Sequence, residues 1–238
     1  MRLTVIVPTL NEAAHLKASL ASLPRGAEVI VSDGGSADDT TSVAARAGAH
    51  VVSGDKGRAQ QMNRGAEAAH GDTLLFLHAD CILGPNALDQ IETALVDDEV
   101  IGGAFRMSVA ESSWGLRWIA ATSNARARYL KTPYGDQAIF VRRSAFDELG
   151  GFPEIPFMED VALVRKLNRL GNLVLVDETV TTGARHWQHL GPLGTTLLNW
   201  SMMSLFLLGV PAERLEPLYR RLRRAGPDTK TVKALSSP

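Results

Sequence analysis

Asp33-Gly34-Gly35-Ser36 and His78-Ala79-Asp80 each follow an apolar run, and that placement gives their carboxylates chemistry to do. At Asp33 two glycines free the backbone to approach a ligand. Its carboxylate can accept hydrogen bonds from a base N–H or a ribose hydroxyl. A plain turn leading into a helix favoured by Asp38 and Asp39 accounts for the same residues. Asp80 closes the run Thr73–Leu77 with a short acidic turn. A diphosphate leaving group needs its charge neutralised, and Mg²⁺ or Mn²⁺ held by one carboxylate plus phosphate oxygens does this. An ordinary loop aspartate is the alternative. His78 is a second ligand or, on the favoured reading, a hydrogen-bonding loop residue.

Three further clusters are candidates. Gly57–Asn63 opens a helix, where Arg58 and free backbone N–H groups can bind an anion; a solvated arginine is the competing reading. Glu159-Asp160 follows the apolar loop Phe152–Met158 and precedes a helix. Asp160 there is either an N-cap or a general base, since a carboxylate beside Phe157 and Met158 can be desolvated and raised in pKa. His186-Trp187-Gln188-His189 offers an imidazole as a structural group, a metal ligand or a diphosphate contact, with Trp187 able to pack on a sugar or acceptor. His15, His50 and His70 have no partner cluster and read as structural.

The elements that must position these residues alternate strand and helix. Leu3–Pro8 is a strand, and Asn11 can cap a helix through Leu23. Glu28–Ser32 is a second strand, followed by a helix from Asp38 or Asp39 to Ala47. His50–Ser53 is a third strand and Gln60–Ala69 a third helix. Thr73–Leu77 is a fourth strand, apolar throughout as in a sheet covered on both faces, and Pro85 starts a helix through Leu95. This predicts a parallel sheet with right-handed crossovers and helices on both faces. The second half is less regular: strands at Ile101–Val109, Gln137–Arg142 and Leu173–Val176, and helices at Trp114–Leu130, Ala145–Leu149 and Asp160–Leu170. From Leu193 helices are broken at Gly209-Val210-Pro211, and Gly226–Pro238 reads as a disordered tail. Ligands of such sheets bind beyond the strands' carboxyl ends. Pro8-Thr9-Leu10-Asn11-Glu12, Asp33–Ser36 and His78–Asp80 all fall there, which describes one crevice.

The 238 residues carry 25 basic and 26 acidic side chains, so no global basic field draws the chain to nucleic acid. An apolar fraction of 45% is ordinary for a globular core. A single cysteine, Cys81, excludes an internal disulfide framework and fits a reducing compartment. Met1–Leu10 reads as a buried strand rather than a secretory leader. Leu193–Val210 is apolar but interrupted by threonines, serines and Asn199, and is expected not to span a membrane. The first strand lacks G-x-G-x-x-G, against a hydride-transfer enzyme.

Taken in order, these segments resemble glycosyltransferase family 2 with the GT-A fold, over about Leu3–Leu190. Val5–Glu12 is similar to the family's opening strand and donor loop, Glu28–Thr40 to its nucleoside-binding segment, and Gly57–Gly65 to the stretch near the diphosphate. Phe76–Asp80 stands where the family has Asp-x-Asp, with His78 in place of the first aspartate. Gly135–Arg142 and Gly150-Gly151-Phe152 resemble the acceptor-side strand and turn, and Glu159-Asp160 the motif whose aspartate is the base. The likeness is greatest to a small bacterial subgroup linked to radical-SAM and selenium-domain neighbours. Gln-x-x-Arg-Trp of the processive synthases is absent, so no polymer synthesis is expected.

The resemblance implies an α/β, GT-A type domain: a mostly parallel, Rossmann-like sheet flanked by helices, with C-terminal helices. It would be one domain over 1–225, with a nucleotide-binding half (1–100), an acceptor half (101–190) and C-terminal helices (191–225). It implies metal-dependent, inverting transfer from a nucleotide-diphosphate sugar, UDP-sugar favoured, to an acceptor hydroxyl. Asp160 and Glu159 would be catalytic, and Pro8, Thr9, Asn11, Glu12, Asp33, Gly34, Ser36, Arg58, His78 and Ala79 would bind donor. Asp80 and His186 would hold Mn²⁺ or Mg²⁺. The expected location is cytoplasmic, and residues 193–224 have two readings: helices packed on the domain or in a homodimer with a solvated basic face, or peripheral contact with the inner face of the membrane through Arg214, Arg220, Arg221, Arg223 and Arg224. The second would suit a polyprenyl-phosphate acceptor. A non-catalytic sugar-nucleotide-binding module and a nucleotidyltransferase are the remaining readings.

Overall fold

A computed structural model describes residues 1–110, 113–183, 187 and 190–224. The tail expected from Gly226 and the candidate ligand His186 lie outside them. The first half follows the expected alternation with one added strand, β5: β1 (Leu3–Thr9), α1 (Ala13–Ala21), β2 (Glu28–Asp33), α2 (Thr40–Arg46), β3 (His50–Ser53), α3 (Arg58–Ala68), β4 (Thr73–Phe76), β5 (Cys81–Leu83) and α4 (Ala87–Ala94). The second half comprises β6 (Val100–Val109), α5 (Trp114–Leu130), β7 (Ile139–Arg142), α6 (Arg143–Glu148), α7 (Glu159–Leu170), β8 (Asn172–Thr182), α8 (Gly191–Leu207) and α9 (Ala212–Arg224). A 3₁₀ turn, Gly135–Gln137, leads into β7.

The strands form one sheet in the order β3-β2-β1-β4-β7-β6-β8-β5. The first four are parallel, as expected. β7 then runs antiparallel to both β4 and β6, while β8 is parallel to β6 and β5 antiparallel to β8. The sheet is thus mostly parallel, and each antiparallel pairing involves β7 or β8 of the second half. Period-two alternation sorts β1 between two cores: Leu3, Val5 and Val7 join Leu16, Ala44 and Ile91 under α1, α2 and α4. Ile6 faces the other way and joins Met62, Phe146, Leu163 and Leu167 under α3, α6 and α7. There Phe76 meets the Phe152 ring edge-on at 4.8 Å.

Several expected boundaries shift, each for a visible reason. Asn11 caps no helix. It takes φ 56°, which Asn tolerates, and α1 starts two residues later behind Glu12. Asp160 is not an N-cap either, because Met158 holds the cap position in a left-handed conformation and Glu159 already belongs to α7. Both acids then sit in the first turn, favourable toward the helix dipole. β8 is far longer than Leu173–Val176, since its outer half pairs with β5 and β6 through a bulge. α5 matches its expected bounds, with the Ser113 side chain accepting from the Leu116 N–H at 3.3 Å. Among the described residues no helix is long and apolar enough to cross a membrane.

Candidate active site

A cavity of about 930 Å³ opens over the carboxyl ends of β1 and β4, walled on the other side by the 134–136 turn, the start of α7 and the C-terminal helices. Of the expected donor residues, Pro8, Thr9, Glu12, Arg58, His78 and Ala79 line it, together with Asp80, Glu159 and Asp160. Asn11, Asp33, Gly34 and Ser36 are not among its lining residues.

Those four build the rim instead. Asp33 is 2% exposed. Its carboxylate accepts from Thr9 Oγ1 at 3.0 Å, Ser36 Oγ at 2.5 Å and the N–H groups of Gly35 and Ser36 at 2.9 and 2.8 Å. With these bonds, after desolvation has been outweighed, the carboxyl lies below its ordinary range. These are the bonds that the turn reading of Asp33 calls for. Asn11 clasps the same turn: its N–H donates to Ser36 Oγ, and its side-chain oxygen accepts from the Ala37 N–H, both at 2.8 Å. From α3, buried Gln61 donates to the carbonyls of Thr9 and Ser32 at 2.7 and 3.0 Å. The loops after β1 and β2 are thereby fixed before any ligand arrives.

Asp160 sits across the cavity. One oxygen accepts from the Gly135 N–H at 2.7 Å and the other from the Val161 N–H at 2.8 Å. This aims the carboxylate while leaving lone pairs for an incoming proton. The burial expected to raise a carboxyl beside Phe157 and Met158 acts on the adjacent Glu159. Desolvation, helped by the Asp160 charge, pushes Glu159 up to about 7, and Arg58 opposes the rise. Arg58 Nη1 stands 3.6 Å from Glu159 Oε1. The α3 arginine is thus tethered to the start of α7, which the anion-site reading of its helix N-terminus does not include.

Asp136 was quoted in the sequence only as part of a strand, yet it lines the cavity and its Oδ1 is buried without a partner among the described residues. Burial pushes it up to about 6, with the Arg126 charge opposing and the Asp160 charge adding. Arg126 shapes this turn, lying 3.2 Å over the Tyr134 ring and donating to Gln137 Oε1 at 3.1 Å. The C-terminal helices contribute Asn199, Glu216, Tyr219, Arg220 and Arg223 to the wall. Tyr219 packs on Phe157 at 4.8 Å between ring centroids, which ties α9 to the loop before α7.

A divalent cation has a plausible set of ligands here by chemistry. Ligand atoms of His78, Asp80 and Cys81 lie within 4.8 Å of one another. Cys81 is fully buried, and burial followed by the Asp80 charge pushes its thiol far up, so it offers no ready thiolate. That leaves one carboxylate and one imidazole facing a cavity that can admit phosphate oxygens; the carboxylate with phosphate oxygens suits Mg²⁺ or Mn²⁺, and a directly bound imidazole suits Mn²⁺ over Mg²⁺.

Gly135 stands between the two halves of the site. A Cβ there would lie 2.9 Å from His78 Nε2 and 3.3 Å from Asp160 Oδ2. Gly135→Ala is expected to lower turnover about tenfold or more by displacing these groups, with the melting temperature nearly unchanged because the position is part-exposed. Parallel activity and thermal-unfolding measurements check it; unaltered turnover would mean that His78 and Asp160 tolerate displacement.

The model of glycosyl transferase family 2 matches residues 4–150. A "PGL/p-HBAD biosynthesis glycosyltransferase" of Mycobacterium tuberculosis is 32% identical over 161 residues, covering 63% of this chain and 62% of the relative. An "uncharacterized glycosyltransferase" of the same organism is 34% identical over 118 residues, 49% of this chain and 53% of its own. The matched segment thus spans less than two thirds of these relatives. Among solved structures, S. aureus TarS 1-349 in complex with UDP superposes with TM-score 0.60 at 17% identity, covering 77% of this chain and 60% of that one. Glucosyl-3-phosphoglycerate synthase from M. tuberculosis, with Mn²⁺, UDP and glucosyl-3-phosphoglycerate, gives TM-score 0.56 at 21% identity, covering 76% and 70%. The expected GT-A architecture is borne out.

Proposed function

Because this chain belongs to glycosyl transferase family 2, we propose that it moves a sugar from a nucleotide-diphosphate donor to an acceptor hydroxyl. The observation that carries this reading is the single cavity in which Asp80 and His78, after β4, face Asp160 at the start of α7. Asp160 takes the proton of the acceptor hydroxyl. The freed oxygen attacks the anomeric carbon, the bond to the diphosphate breaks on the opposite face, and the configuration inverts. Pro8, Thr9 and Glu12 contact the donor from the β1 loop, while Asn11, Asp33, Gly34 and Ser36 hold that loop in place. Arg58, steadied by Glu159, meets phosphate charge. Asp80, with His78 in reach, would hold Mn²⁺ or Mg²⁺, which when bound neutralises the departing diphosphate. UDP in the two similar structures favours a UDP-sugar as donor. Residues 1–225 act as one unit on this reading, since α9 walls the same cavity.

A second reading rests on Arg220 and Arg223, which line the cavity beside Tyr219. Two guanidinium groups on the acceptor side suit an acceptor carrying its own phosphate, such as a polyprenyl phosphate, whose ionised oxygen attacks without a base. Incubation with Mn²⁺ and a panel of UDP-, GDP-, dTDP- and CDP-sugars tests the shared part. Slow release of the nucleoside diphosphate and free sugar from one donor class is expected, because water substitutes poorly for an acceptor. No release from any donor, with or without added polyprenyl phosphate, would overturn both readings.

A further inference from the structure

Two exposed stripes lie side by side on α5 and α8. On α5 they are Trp114, Trp118, Ala121, Ala125 and Tyr129, spaced as one helical face. On α8 the matching face carries Leu193, Leu197, Trp200 and Leu207, continued by Leu208, with Ser201 and Ser204 its only polar members. Trp118 and Trp200 meet at the seam with centroids 6.3 Å apart. Trp114 is 71% exposed, Tyr129 79% and Leu197 64%, so the face is far from scattered surface hydrophobics.

We infer that this face docks on an anionic lipid leaflet. The charge pattern selects that occupant. α5 and α8 carry no Asp, Glu or Lys, and their charged residues are Arg117, Arg126 and Arg128. Arg126 is turned inward onto Tyr134; Arg117 and Arg128 are exposed beside the aromatic stripe, with Arg128 also 3.1 Å from Asp177. Tryptophan and tyrosine at an apolar boundary with flanking arginines match the headgroup region, where ring and guanidinium both find partners. A second copy fits less well: a twofold contact would set these arginines against the same face of the partner, which offers no carboxylate on either helix. No spanning segment is involved, because α8 is too short and too polar to cross. The face also shares walls with the reaction cavity. Asn199 of α8 lines it, as does Trp187, which packs on Leu116 and Ile119 of α5. Docking is a property of this face and does not depend on the donor chemistry, so it can fail or stand separately.

The test is co-flotation of the full chain with phosphatidylcholine vesicles, with and without phosphatidylglycerol, at low and high salt. Flotation with the anionic vesicles at low salt, weakened by salt, is expected. Leu193→Asp combined with Leu197→Asp should lower the bound fraction about tenfold, with unchanged thermal unfolding because both side chains are exposed. Trp→Phe at 200 keeps an apolar ring and should retain binding. Absence of flotation with either vesicle overturns the inference. So does a concentration-dependent dimer that Leu197→Asp dissociates, since the face would then be occupied by a second copy.

Discussion

Asp160→Asn is expected to lower kcat by about 10²- to 10⁴-fold with donor affinity kept, the range that general base catalysis contributes. The substitution is nearly isosteric, and an amide oxygen can still accept from the Gly135 N–H that holds the native carboxylate at 2.7 Å. What disappears is the ability to take a proton. Steady-state kinetics with a hydroxyl acceptor, alongside donor titration, separates the two effects: a fall in kcat alone supports the base, whereas a rise in donor Kd would make Asp160 a binding residue. Near-normal turnover would remove the base assignment and favour an acceptor that arrives already ionised, the chemistry that Arg220 and Arg223 suit.

Asp80→Ala should abolish the manganese-dependent part of donor binding. Losing even an outer-shell partner of a metal ligand costs about 10- to 100-fold in metal affinity, so removing the carboxylate itself should cost at least that. His78 alone cannot replace it, and Cys81 is buried with its thiol pushed up. Nucleotide titrations across a manganese series read the effect directly. Affinity that responds to manganese equally in Asp80→Ala and the parent would show that the cation, if used, is held elsewhere.

Much of the scaffold was legible because it rests on local patterns. The strand at Leu3–Pro8, the strand beginning at Thr73 and the helix Trp114–Leu130 all follow from residue order. What was not legible depends on distant pairing. Cys81–Leu83 is too short to announce a strand and becomes one only against β8. Asn11 was read as a cap because its residue type suits one; its partners, Ser36 and Ala37, lie 25 and 26 residues away. Asp33 kept two readings open in the sequence, and four hydrogen bonds within its own corner support the turn. In the candidate site, Asp80 and Asp160 stand in recognisable sequence contexts. Asp136 does not, since its interest comes from a buried oxygen without a partner among the described residues, which no spacing encodes. Arg220 and Arg223 read in the sequence as a solvated basic face, whereas both line the cavity beside Tyr219, which packs on Phe157.

The most direct test of the central claim is a thermal-unfolding panel of UDP-, GDP-, dTDP- and CDP-sugars, each with and without Mn²⁺. A ligand that binds only the native state raises its stability by RT ln(1 + [L]/Kd). A manganese-dependent rise is expected with one nucleotide class, UDP-sugars first, and is expected to be absent in Asp80→Ala. No rise with any nucleotide sugar at concentrations well above millimolar would contradict a donor site in this cavity.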